Sequence, residues 1–219
     1  MSKVEGLNLN SELPHRLEAS TNHPLLYELP SIVERLELAR LFAVAQPLEV
    51  ELGCGDASFI AEYARRNAGV NLIGVERLLG RIQKLHRKGS RLGLTNLRGV
   101  RIESAYFLQW LLPPASVSAL HIYFPDPWPK KRHHRHRLIN EGFPALAKTV
   151  LQLGGKVYLR TDDADYFQQM NEVFDAAKNL YARVETPTAL AEITTDFERD
   201  FNAQGIPTLR AGFELRSST

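Results

Sequence analysis

The chain has 219 residues, 44% of them hydrophobic and 24% charged, enough to bury a core without disulfides or metals, which excludes disordered, collagen-like and coiled-coil chains. Its single cysteine, Cys54, cannot form an internal disulfide, the opening MSKVEGLNLN lacks the apolar core of a signal peptide, and no run approaches the roughly 20 apolar residues of a membrane span; a cytoplasmic location is expected. The net charge of +2 conceals a division: residues 77–140 carry thirteen Lys/Arg against Glu103 and Asp126, a net of +11, whereas residues 161–219 carry eleven Asp/Glu against five Lys/Arg. A basic middle of this kind draws polyanions, with nucleic acid or a phosphorylated ligand foremost.

Residues 1–30 show little periodicity and read as a loosely attached, flexible extension, with 31–219 as one domain. Residues 31–44 place apolar side chains at helical spacing after Pro30 and Ser31, predicting an amphipathic helix over a sheet face. Apolar runs at 48–52, 71–76, 97–103, 117–124 and 155–161 predict buried strands, and segments near 57–67, 77–91, 104–112, 134–152 and 163–179 predict helices. The alternation predicts a doubly wound α/β domain whose mostly parallel sheet is covered on both faces. Two more strand candidates, 180–185 and 209–215, flank an insertion without repeats or low complexity.

Glu51-Leu52-Gly53-Cys54-Gly55-Asp56 follows the first strand and opens a helix. Gly53 and Gly55 let the backbone approach a ligand, and the helix start offers free N–H groups. A dinucleotide fingerprint would place a third glycine at position 58, where Ser58 stands. A carboxylate just before the glycines suits a cationic ligand, an ammonium or a sulfonium, and S-adenosylmethionine carries both. The second strand ends at Glu76, 21 residues after Gly55, where a carboxylate can accept from both ribose hydroxyls of an adenosine. Ser104, at the end of the third strand, can meet the adenine edge, cap a helix, or do both. Cys54 between the glycines reads as a small space-filling residue, with no partner to activate it.

The fourth strand runs into Pro125-Asp126-Pro127-Trp128-Pro129-Lys130-Lys131-Arg132-His133-His134-Arg135-His136-Arg137. The alternate prolines fix the backbone, and Pro127 keeps Asp126 in an extended conformation at a strand's carboxyl end, the ligand edge of open α/β sheets. Trp128 can pack against the sheet or stack on a base, and packing is the favoured reading. The run 130–137 has five Lys/Arg and three His without an acid, a density suited to phosphates and unfavourable for a metal ion, so no metal is expected.

The loop PDPWPKKRHHRHR, after a Glu-x-Gly-x-Gly loop, resembles the signature of the bacterial tRNA (guanine-N7)-methyltransferases, and the likeness runs from about residue 48 to 215. Thr161-Asp162 and the tail segment Thr195-Asp196-Phe197-Glu198, followed by Phe201 and Gly205-Ile206-Pro207, are similar to the family's pattern as well. The resemblance implies a class I adenosylmethionine-dependent methyltransferase fold with an antiparallel last strand, and transfer of a methyl group to guanine N7 of tRNA at variable-loop nucleotide 46. It further implies that Glu51, Gly53, Gly55, Glu76, Ser104 and Asp126 line the adenosylmethionine site, with Asp126 also catalytic. By the same resemblance Lys130, Asp162, Thr195, Asp196, Phe197 and Glu198 contact substrate, and Arg132, His133, His134, Arg135, His136 and Arg137 meet the RNA. One departure is Ser104, where the family commonly has Asp or Asn.

Guanine N7 carries a lone pair and no proton, so methyl transfer to it asks for alignment and desolvation more than for a general base. Asp126 can then accept from guanine N1–H and N2–H, or from the methionine amino group, and its charge can offset the cation that passes from sulfur to purine. Asp162 and Glu198 are alternative readers of the guanine donor edge. Rival readings are a methyltransferase for another RNA or small molecule, a nicotinamide-dependent oxidoreductase, and a non-catalytic RNA-binding protein. Oligomeric state is left open by the sequence.

Overall fold

Short apolar runs that alternate with amphipathic segments build a three-layer α/β arrangement in the computed structural model, which describes residues 24–217. Strands β1 (Leu48–Leu52), β2 (Asn71–Val75), β3 (Leu97–Val100), β4 (Val117–Tyr123) and β5 (Leu151–Thr161) fall on the five predicted runs, β5 starting four residues early. With β6 (Tyr181–Val184) and β7 (Leu209–Leu215) they form one seven-stranded sheet of order β3-β2-β1-β4-β5-β7-β6. β1 to β5 pair in parallel, and β7 lies antiparallel between β5 and β6.

Strand side chains alternate between faces, so Val50, Leu52, Leu120, Ile122, Val157 and Leu159 enter one core with Phe107, Phe143, Met170 and Phe174. Leu72, Leu97, Ala119, Tyr123 and Tyr158 enter the other with Phe59, Ile60, Ile82 and Leu85. Helices α1 (Ser58–Arg66) and α2 (Leu79–Arg91) cover the second face. The first is covered by α3 (Ser104–Tyr106), prolonged by a π-helical turn over Phe107–Leu111, and by α4 (Phe143–Val150) and α5 (Ala164–Ala176). Each fully buried phenylalanine contributes about 1.5–3 kcal/mol of transfer free energy. The insertion between β6 and β7 folds as two short helices, α6 (Thr188–Ala191) and α7 (Asp196–Ala203).

Two helix expectations are corrected. Residues 31–44 form only a 3-10 turn at Leu38–Arg40. Tertiary partners take their polar groups instead: Leu36 N–H donates to Leu111 O at 2.8 Å, Tyr106 Oη to Ile32 O at 2.8 Å, and Arg98 Nε to Leu41 O at 2.6 Å. A short helix is marginal on its own, so such contacts decide its fate. The expected helix at 134–152 is divided into a 3-10 turn, Lys131–His136, and α4, whose first turn contains Pro144. Between them Asn140 Oδ1 accepts from Gly142 N–H at 3.0 Å, an Asx turn that breaks the run.

Within the segment read as an extension, residues 25–27 sit on the outer edge of β3: Gly99 N–H donates to Leu25 O at 2.6 Å and Tyr27 N–H to Gly99 O at 2.9 Å. Residues 1–23 of that segment lie outside the described residues. Among the described residues no helix is long and apolar enough to cross a membrane.

Candidate active site

The parallel strands β1 to β5 bring their carboxyl ends to one edge of the sheet, and the sequence motifs follow those ends. After β1 the chain turns through Gly53 and Gly55, with φ of 77° and 53°, left-handed values that glycine adopts without a steric penalty. Gly53 and Cys54 N–H both donate to Val75 O at 2.9 Å, tying the turn to β2. Glu76, buried at the end of β2, accepts from Gly55 N–H at 3.2 Å through one oxygen and from Leu78 N–H at 2.8 Å through the other.

Glu51 is buried beneath this turn, and its Oε2 has no hydrogen-bond partner. Burial pushes its carboxyl up from 4.5 to about 8; the Arg160 guanidinium opposes this and the charges of Asp56 and Glu76 add to it. The folded chain then holds a proton that the unfolded chain releases between pH 4.5 and 8, so the native state loses stability as pH rises through that window. The full swing is about 3–5 kcal/mol. We expect Glu51→Gln, which cannot ionise, to gain thermal stability relative to the native chain on going from pH 6 to pH 9. A difference in melting temperature that stays constant with pH would show that Glu51 ionises as in water.

A cleft of about 400 Å³ opens at this edge, lined by Gly53, Glu76, Ser104 and Asp126 together with Arg77, Leu78, Arg81, Glu103, Phe124, Trp128 and His136. The fold thus gathers four of the six residues expected at the cofactor site around one space, with Glu51 near the end of β1 and Gly55 in the turn beside it. Ser104 does not cap α3. Glu103 does, its carboxylate accepting from Ala105 N–H at 3.0 Å and Tyr106 N–H at 2.7 Å, and Ser104 is among the residues that line the cleft.

Asp126 is exposed, in a segment whose flanks Phe124 and Trp128 have φ of 51° and 46°. Non-glycine residues in that region cost of order 1–3 kcal/mol each and cluster at functional sites. Trp128 does not pack on the sheet; it lies against the rings of His133 and His136, at centroid distances of 6.0 and 5.2 Å. Lys130, Lys131, Arg132, Arg135 and His136 are exposed on the rim, and His133 and His134 are half-buried. Arg137 departs from the RNA-contacting expectation: it is 2% exposed and fully engaged inside the fold. Among the described residues no group of His, Cys, Asp and Glu is placed to hold a metal ion.

The tail segment divides in two. Thr195 and Glu198 form a reciprocal capping box at the start of α7, and Glu198 is wholly buried between Arg160, at 3.0 Å, and Arg210. Asp196 and Phe197 face outward, Asp196 N–H donating to Ser58 Oγ at 3.1 Å. Phe197 stacks on Phe201 and Phe201 on Phe124, each pair 6.5 Å apart, so a row of rings joins α7 to the cleft. Asp162 stands half-buried just past β5, beside Asp163, which caps α5. Arg160, absent from the sequence reading, is buried with its cation 4.1 Å above the Tyr123 ring; a lone arginine in a strand gives no sign of this.

Residues 45–211 match the family model described as putative methyltransferase. The tRNA (guanine-N(7)-)-methyltransferase of Geobacter metallireducens is 38% identical over 149 residues, 68% of this chain and 70% of that protein. The enzyme of the same name from Syntrophotalea carbinolica is 32% identical over 194 residues, 87% and 83% of the two chains. Among solved structures, the 16S rRNA methyltransferase KamB superposes with a TM-score of 0.60 at 14% identity over 84% of this chain and 95% of its own. The aminoglycoside resistance methyltransferase NpmB1 does so with 0.56 at 16%, over 82% and 92%. The structural likenesses show the class I methyltransferase fold, and the family model and sequence relatives show that the chain belongs to the tRNA (guanine-N7)-methyltransferase family.

Proposed function

We propose that this chain transfers a methyl group from S-adenosylmethionine to N7 of a guanine in tRNA, nucleotide 46 of the variable loop being the position the resemblance implies. The observation that carries the reading is the placement of Glu76, Ser104 and Asp126 around one cleft whose rim is the exposed cationic turn 130–136. The buried, unpartnered Glu51 oxygen fits an adenosylmethionine ammonium, since a cation nearby would favour loss of the Glu51 proton and pair with the carboxylate that results. When bound, adenosylmethionine supplies the methyl group on a sulfonium centre.

Glu76 would hold the ribose hydroxyls, exchanging its bonds from Gly55 and Leu78 for theirs. Ser104 and the backbone around it would meet the adenine edge. Asp126 acts as a carboxylate: it orients the guanine through N1–H and N2–H and offsets the positive charge that develops on the purine. No residue has to remove a proton before N7 attacks. Lys130, Arg132, Arg135 and His136 would grip phosphates, with Phe197 and Asp162 toward the substrate. Homocysteine-bearing product and a 7-methylguanosine-containing tRNA leave the site.

Purified chain, adenosylmethionine labelled in its methyl group and unmodified tRNA transcripts are expected to give label in 7-methylguanosine after digestion. Binding of the same transcripts should weaken about 10³-fold or more between 50 and 200 mM salt if six or more phosphates are contacted. Label in another nucleoside, or binding indifferent to salt, would overturn the substrate assignment.

A further inference from the structure

We propose that Arg137 is a positioning residue that holds the Asp126 segment in its strained shape by clamping it to α5; as a statement about catalysis this rests on the function proposed above. The segment 125–129 contains three prolines, which have no N–H to donate, so its own amides can do little to anchor it. Among the described residues, one hydrogen bond reaches it: Arg137 Nε to Pro127 O at 2.6 Å, on the residue that follows Asp126. The remaining guanidinium nitrogens point the other way, Nη1 to Gln169 Oε1 at 2.6 Å and Nη2 to Asp165 Oδ2 at 2.7 Å, both on α5. The cation lies 4.6 Å above the Tyr166 ring.

α5 grips the neighbouring backbone too. Ile139 N–H donates to Tyr166 Oη at 2.9 Å, and Gln169 Nε2 donates to Ile139 O at 2.9 Å. Arg137 also closes the 3-10 turn 131–136, its N–H donating to His134 O at 3.0 Å. Arg137 therefore ties two things to a rigid helix: through its side chain the carbonyl next to Asp126, and through its own backbone N–H the base of the cationic turn on the rim. Stability is a poor explanation for it. A buried arginine is costly to desolvate, and its partner Asp165 is 70% exposed, so the ion pair returns little of that cost. The return lies in geometry: Phe124 and Trp128 keep left-handed backbone values only while the surroundings enforce them.

The test uses the full chain in a Trp110→Phe background, so that Trp128 is the one tryptophan and reports on the segment directly. Arg137→Met, which keeps an apolar stem over Tyr166, and the milder Asp165→Asn, at an exposed position, are compared with their parent. In both variants acrylamide quenching of Trp128 should rise, about two-fold or more for Arg137→Met. Affinity for adenosylhomocysteine should change less than two-fold. The kcat for methyl transfer should fall about 10–100-fold with KM for tRNA within a few-fold, since a displacement of about 1 Å near the chemistry costs on that order. In an Asp126→Ala background the kcat loss should vanish, because the clamp acts through that residue. Unchanged Trp128 quenching in Asp165→Asn and in Arg137→Met overturns the clamp whatever the activity. Losses that add fully to that of Asp126→Ala overturn its action through Asp126. Looser Trp128 in a chain whose parent methylates no tRNA would instead overturn the function proposed above and leave the clamp standing.

Discussion

Asp126→Asn should lower kcat for methyl transfer to tRNA by about 10²–10³-fold, the scale of losing one preorganised electrostatic group, with the melting temperature unmoved. The second half of that expectation comes from the structure: Asp126 is exposed, and no group among the described residues donates a hydrogen bond to its carboxylate, so folding does not depend on it. The first half comes from charge. Methyl transfer to N7 moves a positive charge onto the purine, and a carboxylate at the cleft stabilises that state more than the neutral guanine that precedes it. Asparagine has the same shape and can still accept one bond from guanine, but it lacks the charge and presents a donor where a second acceptor is wanted. Single-turnover rates at saturating adenosylmethionine separate the two contributions. Full activity in Asp126→Asn would mean that alignment alone drives the step, and a loss confined to KM would make Asp126 a binding residue.

Glu198→Ala should destabilise the fold by about 3–5 kcal/mol, the range for breaking a buried ion pair, and lower the melting temperature by roughly 10 °C for a chain of this length. Glu198 is the acid that compensates Arg160, and both side chains are fully buried. The Arg160 guanidinium also donates to Ile193 O at 2.8 Å and to Leu190 O, so it joins β5 to the insertion that carries α6 and α7. Removing the carboxylate strands that cation in the core, frees Arg210, and takes away one arm of the capping box at Thr195. Glu198→Gln keeps a hydrogen-bonding side chain and should fall between the two. Urea or thermal unfolding measures the effect directly. A variant with native stability and lost tRNA affinity would make Glu198 a direct substrate contact.

These two carboxylates show how far the sequence carries. Strands β1 to β4 are legible because runs such as LEVEL and VSALHIY are apolar enough to be buried on both faces, and the motifs follow their ends. Glu76, Ser104 and Asp126 are therefore assignable to one edge of the sheet from the strand ends they follow. Which charged residue turns inward was not legible, because Arg137 sits among seven other basic or histidine residues and looks like them. Its burial depends on Asp165, Gln169 and Tyr166, 28 to 32 positions away. Glu198 likewise reads as one acid in an acidic tail until Arg160 and Arg210 close on it. Residues 31–44 have helical periodicity, yet the partners that unwind them are Arg98, Tyr106 and Leu111, and local pattern contains no information about those.

The seat of Leu25 to Tyr27 on β3 bears on how copies of this chain meet one another. An open sheet ends in a strand with unpaired amides and carbonyls, a template on which a second molecule can continue the sheet. Here Gly99 gives its N–H and its carbonyl to Leu25 and Tyr27. A side chain at Gly99 or Gly89 would meet Leu26 at 3.0 Å or Leu25 at 2.9 Å, so both positions leave room for the incoming segment. At the opposite end the last strand, β6, has only four residues and carries Arg183, a short and charged border. Both borders of the sheet are thus poor places for intermolecular strand pairing.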